Sequence, residues 1–293
     1  MRVAVLGAGL MGSAAAERLA SEGFSVIVWS RTRGKAESLA ERLGVEAAPS
    51  VERALDEAEA AIAFLADDEA LISVASQVNR ADGLVFVDSS TVTPETASRV
   101  GEYLEGRGAC YVEAPVLGGP RVVREGRLTV IAAGRGLCKR MAAPLLGALA
   151  ARVVDAGEDP RVAQALKLAY NQVLISSLAL LSEALATARS YGASLDLLES
   201  VFEGTALEGL AAKYLRRLAA DEWPTSFRLE LAAKDLDYAR RAAWARGLAA
   251  PVTSAAAEVF KLAARWGLGD GDYSRVRFFI EGGGGAKSSQ RPG

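Results

Sequence analysis

Gly7-Ala8-Gly9-Leu10-Met11-Gly12 constrains this chain more than any other stretch. It follows an apolar run at residues 2–6 and leads into a helical pattern that Gly23 closes, with a second strand pattern at 24–29. G-x-G-x-x-G between strand and helix lets the backbone turn tightly, approach a pyrophosphate and pack helix on strand. The helix start behind it offers unpaired amides to phosphate oxygens. Such a strand-helix-strand unit commits the first half of the chain to a parallel sheet with helices on both faces, and it points to a bound dinucleotide.

The end of the second strand indicates which dinucleotide. NAD sites place Asp or Glu there for the ribose 2'-hydroxyl, whereas NADP needs positive charge. The sequence reads Ser30-Arg31-Thr32-Arg33-Gly34-Lys35, with no acid until Glu37. A solvated basic helix start is the bland alternative. Cations at a helix N-terminus are unfavourable unless an anion sits there, so NADP is favoured over NAD.

The alternation continues as in a doubly wound sheet: helices near 35–43 and 51–57, a strand at 60–66 ending in Asp67-Asp68, and a helix to 79. A strand at 84–87 is closed by Asp88-Ser89-Ser90-Thr91, and Pro94 opens the next helix. Strands follow at 110–113, 128–133 and 152–154, with a helix at 137–149. Ligands of such sheets gather at the carboxyl ends of the strands, where Asp67, Ser90 and Thr91 fall. Asp67 or Thr91 could instead cap the following helix. The loop at 114–120 carries Gly118-Gly119, whose exposed amides suit a carboxylate or phosphate, although a plain turn uses the same pair.

From Ala163 onward the strand signal is gone. The stretch 162–192 is apolar nearly all round, as expected of a helix buried by neighbours on most sides. Lys167 and Asn171 stand four residues apart on one face of it, so they must be exposed, paired or facing a cavity. A snorkelling lysine and a capping asparagine form the bland reading; the glycine loop strengthens the cavity reading. A membrane span is disfavoured, because the uninterrupted apolar run from Gln172 to Glu183 falls short of the about 18 to 20 residues required. Helical patterns at 195–203, 206–219, 229–246, 251–266 and 272–280 complete an all-helical second half. The expected domains are 1–160 and 161–285, with a flexible tail at 286–293.

At 293 residues, with 51% hydrophobic and 24% charged residues and a net charge of −2, the chain reads as a two-domain globular protein without a nucleic-acid-binding surface. Histidine is absent, which excludes the usual zinc sites and any histidine base, and no metal is expected. Acid-base work falls to Lys, Tyr, Asp, Glu or Cys. A strand pattern at the N-terminus with no signal peptide leads to a cytoplasmic expectation, and with it two reduced thiols at Cys110 and Cys138 rather than a disulfide. Asparagine occurs only at Asn79 and Asn171, which suits a thermophilic source, though a GC-rich genome would bias composition similarly.

Taken in order, these landmarks resemble the β-hydroxyacid dehydrogenase family, which includes 3-hydroxyisobutyrate dehydrogenases and glyoxylate and succinic semialdehyde reductases. The resemblance implies an N-terminal Rossmann-type domain joined by a long interdomain helix to an all-helical C-terminal domain. It also implies a hydride transfer between NADP and a small β-hydroxyacid or aldehyde acid. Gly7 to Gly12 resembles the G-x-G-x-M-G cofactor loop. Ser30, Arg31, Thr32 and Lys35 lie where NADP-using members hold the 2'-phosphate, and Leu65, Ala66 and Asp67 resemble the segment along the cofactor. Ser90 and Thr91 resemble the pair beside the nicotinamide, and residues 113–119 resemble the substrate loop D-A-P-V-S-G-G. Lys167 and Asn171 match the catalytic lysine and the amide one turn on. Phe227 with Lys234-Asp235 resembles the segment that closes over cofactor and substrate.

Leu117 replaces the serine that usually holds the substrate carboxylate, leaving that contact to the Gly118 and Gly119 amides. Tyr170 replaces the first asparagine of the usual K-x-x-N-N pair. In the implied mechanism Lys167 passes a proton to or from the substrate oxygen, and burial among apolar residues is expected to bring its pKa down toward a useful range. Two rivals belong to other classes. An imine reductase typically lacks the lysine, and a non-catalytic NADP-binding module has no reason to keep Lys167, Asn171 and Gly118-Gly119 together. So apolar a helical half is expected to form a homodimer or homotetramer.

Overall fold

In the computed structural model, residues 1–56, 58–79 and 81–282 are described, and the tail expected at 286–293 lies outside them. The chain divides into two compact units, Met1–Leu168 and Ala169–Gly293.

The first unit opens with β1 (Arg2–Leu6), α1 (Leu10–Ser21), β2 (Ser25–Trp29), α2 (Arg33–Leu43), β3 (Glu46–Ala47), α3 (Val51–Asp56), β4 (Ala60–Ala63), α4 (Asp68–Ser76), β5 (Val85–Asp88), α5 (Pro94–Glu105) and β6 (Cys110–Glu113). These six strands form one parallel sheet in the order β3-β2-β1-β4-β5-β6. The central strands β1 and β4 are apolar and buried over residues 3–6 and 60–63 because helices cover both faces, and a separate core fills each side. Sequence order reverses between β1 and β4. That reversal opens the crevice in which such sheets bind ligands.

A smaller sheet follows. β7 (Val116–Leu117), α6 (Pro120–Arg124), β8 (Leu128–Ala132), α7 (Gly136–Leu149) and β9 (Ala150–Asp155) place β8 between an antiparallel β7 and a parallel β9. The sequence carries no signal for β3, β7 or α6, because two- and five-residue elements owe their form to what they pair with.

The long helix α8 spans Pro160–Ser190. Its first turns belong to the first unit, since Ala163 packs with Ile131 and Ala133 and Gln164 is fully buried. The compact units divide between Leu168 and Ala169, inside the helix.

Two expectations are corrected. Cys110 and Cys138 form a disulfide, not a pair of thiols, because α7 packs against β6 and brings the two Cα atoms to 5.0 Å. And α8 is not buried on most sides by its own chain: Val162 and Leu166 are exposed, with Val173 at 69% and Leu180 at 67%. Length and composition alone do not exclude a span, for α8 has 31 residues and only 33% of its most apolar window is buried.

The second unit holds α9 (Leu195–Phe202), α10 (Glu208–Ala219), α11 (Leu229–Ala245), α12 (Pro251–Ala263) and α13 (Val276–Ile280) with the rest of α8. Ile175, Leu178 and Leu185 of α8 share one core with Tyr214, Leu236 and Phe260. The buried carboxylate of Asp272 pairs with Arg217 and accepts from the backbone N of Ser226 at 3.0 Å and the hydroxyl of Ser274 at 2.7 Å.

Candidate active site

At the carboxyl end of β1 the backbone turns at Gly7, whose φ of +112° suits glycine and whose N–H donates to Trp29 O at 2.7 Å. A Cβ there would lie 2.4 Å from Phe64 O, and one on Gly12 would lie 1.8 Å from Gly7 O. The two outer glycines are thus demanded by close packing. Gly9 is different: nothing comes within 4 Å of where its Cβ would be, and it begins α1 without a side-chain cap. The α1 amides meet open space, a cradle that fits a pyrophosphate.

At the end of β2, Thr32 begins α2 without a side-chain cap bond and no acid stands in the first turn. Arg31, Thr32 and Lys35 are exposed, Ser30 is half-buried, and Arg33 pairs with Glu37 at 2.7 Å. This uncapped basic turn has the donor set a 2'-phosphate requires.

The loops after β4 and β5 are tied to each other. Leu65 N donates to Ser90 Oγ at 2.9 Å, and Ser90 N donates to Asp88 Oδ1 at 3.0 Å. Ser90, expected to touch substrate, is 2% exposed, and its hydroxyl oxygen accepts this bond. Asp67 caps α4, accepting from Ala70 N at 2.8 Å, as its bland reading held. Thr93, not Thr91, caps α5, and Asp68 accepts from its backbone N at 2.8 Å and its hydroxyl at 2.7 Å. Ala66 and Thr91 are half-buried.

Beneath Ser90 lies a polar cluster. Asp88 and Glu113 are register partners on β5 and β6, and both are fully buried. Glu113 Oε2 accepts from the Tyr111 hydroxyl at 2.6 Å, and Oε1 accepts from Gln164 Nε2 at 2.7 Å. Burial first and the Asp88 charge second hold the Glu113 carboxyl well above the usual carboxylate range, against the pull of those two hydrogen bonds. Gln164 was missed from sequence. The available signal was spacing: Gln164, Lys167 and Asn171 make a polar stripe along one face of α8.

Lys167 Nζ donates to Val116 O on β7 at 2.8 Å. Next to it Leu117 packs against Ile131, Ala133 and Ala163. Gly118 has φ +136°, and a Cβ would come within 2.8 Å of Leu128, so only glycine fits; Gly119 begins α6 without a side-chain cap. The sequence motifs of this unit meet at one edge of the sheet. Gly7 touches Phe64, Leu65 binds Ser90, Ser90 O accepts from Gln164 Nε2 at 2.8 Å, and Lys167 follows Gln164 by one turn.

In the second unit Asn171 is buried and donates to Asp235 Oδ2 at 2.6 Å, while Lys234 Nζ lies 3.0 Å from Asp235 Oδ1 and 4.5 Å from the Tyr238 ring centre. Asp235, expected to line the substrate, therefore holds Asn171 and Lys234. Phe227 stacks edge-on against Tyr273 at 5.4 Å. Among the described residues no cluster of His, Cys, Asp or Glu could hold a metal. A groove of about 1120 Å³ in the first unit, lined by Met1, Glu59, Asp82 and Met141, lies at the amino ends of the strands, away from these residues.

Two family models match the chain. The NAD binding domain of 6-phosphogluconate dehydrogenase covers residues 2–157, and the NAD-binding domain of NADP-dependent 3-hydroxyisobutyrate dehydrogenase covers 162–278. The chain is 31% identical to glyoxylate/succinic semialdehyde reductase 1 of Arabidopsis thaliana over 94% of its own length and 97% of the relative's. The solved structure of Mycobacterium tuberculosis 3-hydroxyisobutyrate dehydrogenase with L-serine superposes with a TM-score of 0.83 at 28% identity, over 95% of this chain and 98% of that one. A structure described as Psf3 in complex with NADP+ and 2-OPP gives a TM-score of 0.80 at 29% identity, over 95% and 99%.

Proposed function

The chain belongs to the β-hydroxyacid dehydrogenase family of NAD(P)-dependent oxidoreductases, and on that premise we propose that it uses NADP and that Lys167 carries the proton. The substrate is a small aldehyde acid of the glyoxylate or succinic semialdehyde type, or the corresponding β-hydroxyacid such as 3-hydroxyisobutyrate or serine. The supporting observation is the seat of Lys167. Its amine is bound to the carbonyl of Val116 in the loop before Gly118-Gly119, one turn from a residue anchored on the Ser90 loop.

When bound, the nicotinamide supplies or accepts the hydride. Gly7 to Gly12 hold the pyrophosphate with the α1 amides, and Ser30, Arg31, Thr32 and Lys35 hold the 2'-phosphate. The Lys167 ammonium gives a proton to the oxygen of the reduced carbonyl, and its neutral amine takes that proton back in oxidation. Asn171, one turn on along α8 and fixed by Asp235, orients the amine or the substrate oxygen. Thr91 and the Gly118 and Gly119 amides hold the carboxylate in place of the missing serine at Leu117.

Two further readings belong here. The apolar stripe of α8 is covered by a second copy of the chain, giving a homodimer or homotetramer. If the cytoplasmic reading is kept as part of this proposal, the disulfide fits a thermophilic source, where intracellular disulfides persist.

Lys167→Ala is the test. Turnover should fall roughly a hundredfold to ten-thousandfold, with NADPH affinity unchanged, in a panel of aldehyde acids and hydroxyacids run with both NADP(H) and NAD(H). Undiminished turnover removes the lysine from the mechanism, and a preference for NADH removes the NADP reading.

A further inference from the structure

Gln164 takes no part in the proton transfer, yet its side chain is fully buried and makes three hydrogen bonds inside the first unit. Nε2 donates to Ser90 O at 2.8 Å and to Glu113 Oε1 at 2.7 Å, and Oε1 accepts from Val92 N at 3.4 Å. These partners lie in the loop after β5 and at the end of β6. The network reaches on through Ser90 Oγ to Leu65 N, and through Glu113 to the Tyr111 hydroxyl.

We propose that Gln164, braced by Glu113, is the positioning residue for Lys167: it sets the height and rotation of the start of α8 against the loops that carry Leu65 and Thr91. The proposal rests on the reading of Lys167 as the proton carrier.

The chemistry of an amide explains the choice of residue. A neutral side chain that donates twice and accepts once can bridge two loops and a carboxyl group without leaving a charge behind. Three bonds at one point of a helix resist both sliding and turning. The lysine side chain has four rotatable bonds, so its amine is placed only if both ends are held. Val116 O holds the far end at 2.8 Å, and Gln164 holds the backbone one turn away. The Glu113 carboxyl is the other half of the brace. Burial and the neighbouring Asp88 charge hold that carboxyl above the usual range, and its Oε1 accepts from Gln164 at 2.7 Å.

The experiment compares Gln164→Leu, Glu113→Gln, Glu113→Asp and Lys167→Ala. Gln164→Leu should lower kcat roughly tenfold to a hundredfold, the scale of an ångström's misplacement. Substrate KM and NADPH Kd should stay within about threefold, because the lost contact is to the catalytic group and not to either ligand. The primary isotope effect with cofactor deuterated at C4 of the nicotinamide should rise, whereas a merely structural defect would lower the melting temperature of the ligand-free protein and the active fraction while leaving the isotope effect alone. Glu113→Gln keeps the length of the brace and an oxygen to accept from Gln164, so it should lose less than Glu113→Asp. Glu113→Asp, one methylene short of Gln164, should lose about tenfold.

A parental kcat and isotope effect in Gln164→Leu overturns the proposal. So does a Glu113→Gln variant as impaired as Gln164→Leu, since charge would then be what matters. If Gln164→Leu does not fold, the Glu113 pair decides, and equal activities in its two variants overturn the brace. Lys167→Ala separates the two levels: full activity there refutes the lysine reading itself, whereas an inactive Lys167→Ala beside an unimpaired Gln164→Leu refutes only the positioning role.

Discussion

Each unit of this molecule buries an acid completely, and the surroundings push the two acids in opposite directions. Glu113, in the first unit, is surrounded by neutral donors and by another acid, and burial raises its carboxyl well above the usual range. Asp272, in the second unit, is equally inaccessible and also pushed upward by burial, yet the bonds from Arg217, Ser226 and Ser274 outweigh that push and hold it below the usual range. Inaccessibility therefore does not decide the charge. A cation within hydrogen-bond reach does. The helical unit uses an ion pair to fasten the end of α10 to the segment before α13.

Removing the cation should break the helical unit hardest. Arg217→Met leaves Asp272 buried without its partner, and such losses cost about 3–5 kcal/mol. Glu113→Gln keeps the length and both hydrogen-bonding ends of a group whose carboxyl burial already raises, and its cost should stay under about 1 kcal/mol. Urea unfolding of both variants at neutral pH checks the pair. Similar costs would mean that the two acids are pushed the same way, and the contrast drawn here would collapse.

A second difference is covalent. Within the described residues the disulfide joins β6 to α7 in the first unit, and the second unit contains no cysteine. Reduction should destabilise the first unit by about 2–4 kcal/mol. Amide hydrogen exchange would locate the effect, with faster exchange in β6 and α7 and unchanged exchange in α10 to α12. Uniform loosening of both units would show that they unfold as one.

Legibility in the sequence divides along the same lines. Patterns that depend on local spacing could be read: the glycine loop, the strand-helix alternation, the helices after Ala163, and the Lys167-Asn171 pair. Features made by distant residues could not. The disulfide depends on α7 lying against β6, β7 exists only because β8 lies beside it, and Thr93 rather than Thr91 caps α5 because the helix starts where Pro94 permits. Burial of α8 was misjudged because composition does not say whether an apolar face is covered by its own chain. The partners that hold Ser90 and Asp235, Leu65 and Asn171, are likewise distant in sequence and were not legible. Gln164 carried only the weak signal of one more polar residue on the stripe of Lys167 and Asn171.

The response to pH is the most gradual effect, and its sign differs between the units. A proton bound by the native state and not by the unfolded chain lowers stability as pH rises. Glu113 is such a group. Its contribution is complete below the ordinary value of 4.5 and is lost as pH climbs from there toward its raised native value. Asp272 runs the other way. Its contribution is complete above the ordinary value of 3.8 and is lost as pH falls below it toward the depressed native value. Each slope is limited to one proton, at most about 1.4 kcal/mol per pH unit. Unfolding curves of the parent and of Glu113→Gln between pH 5 and about pH 8 isolate the first slope, since the amide cannot titrate. The parent should lose stability relative to the variant across that range. If the two curves run parallel, Glu113 is ionised in the native protein, and the raised carboxyl beside Gln164 must be given up with it.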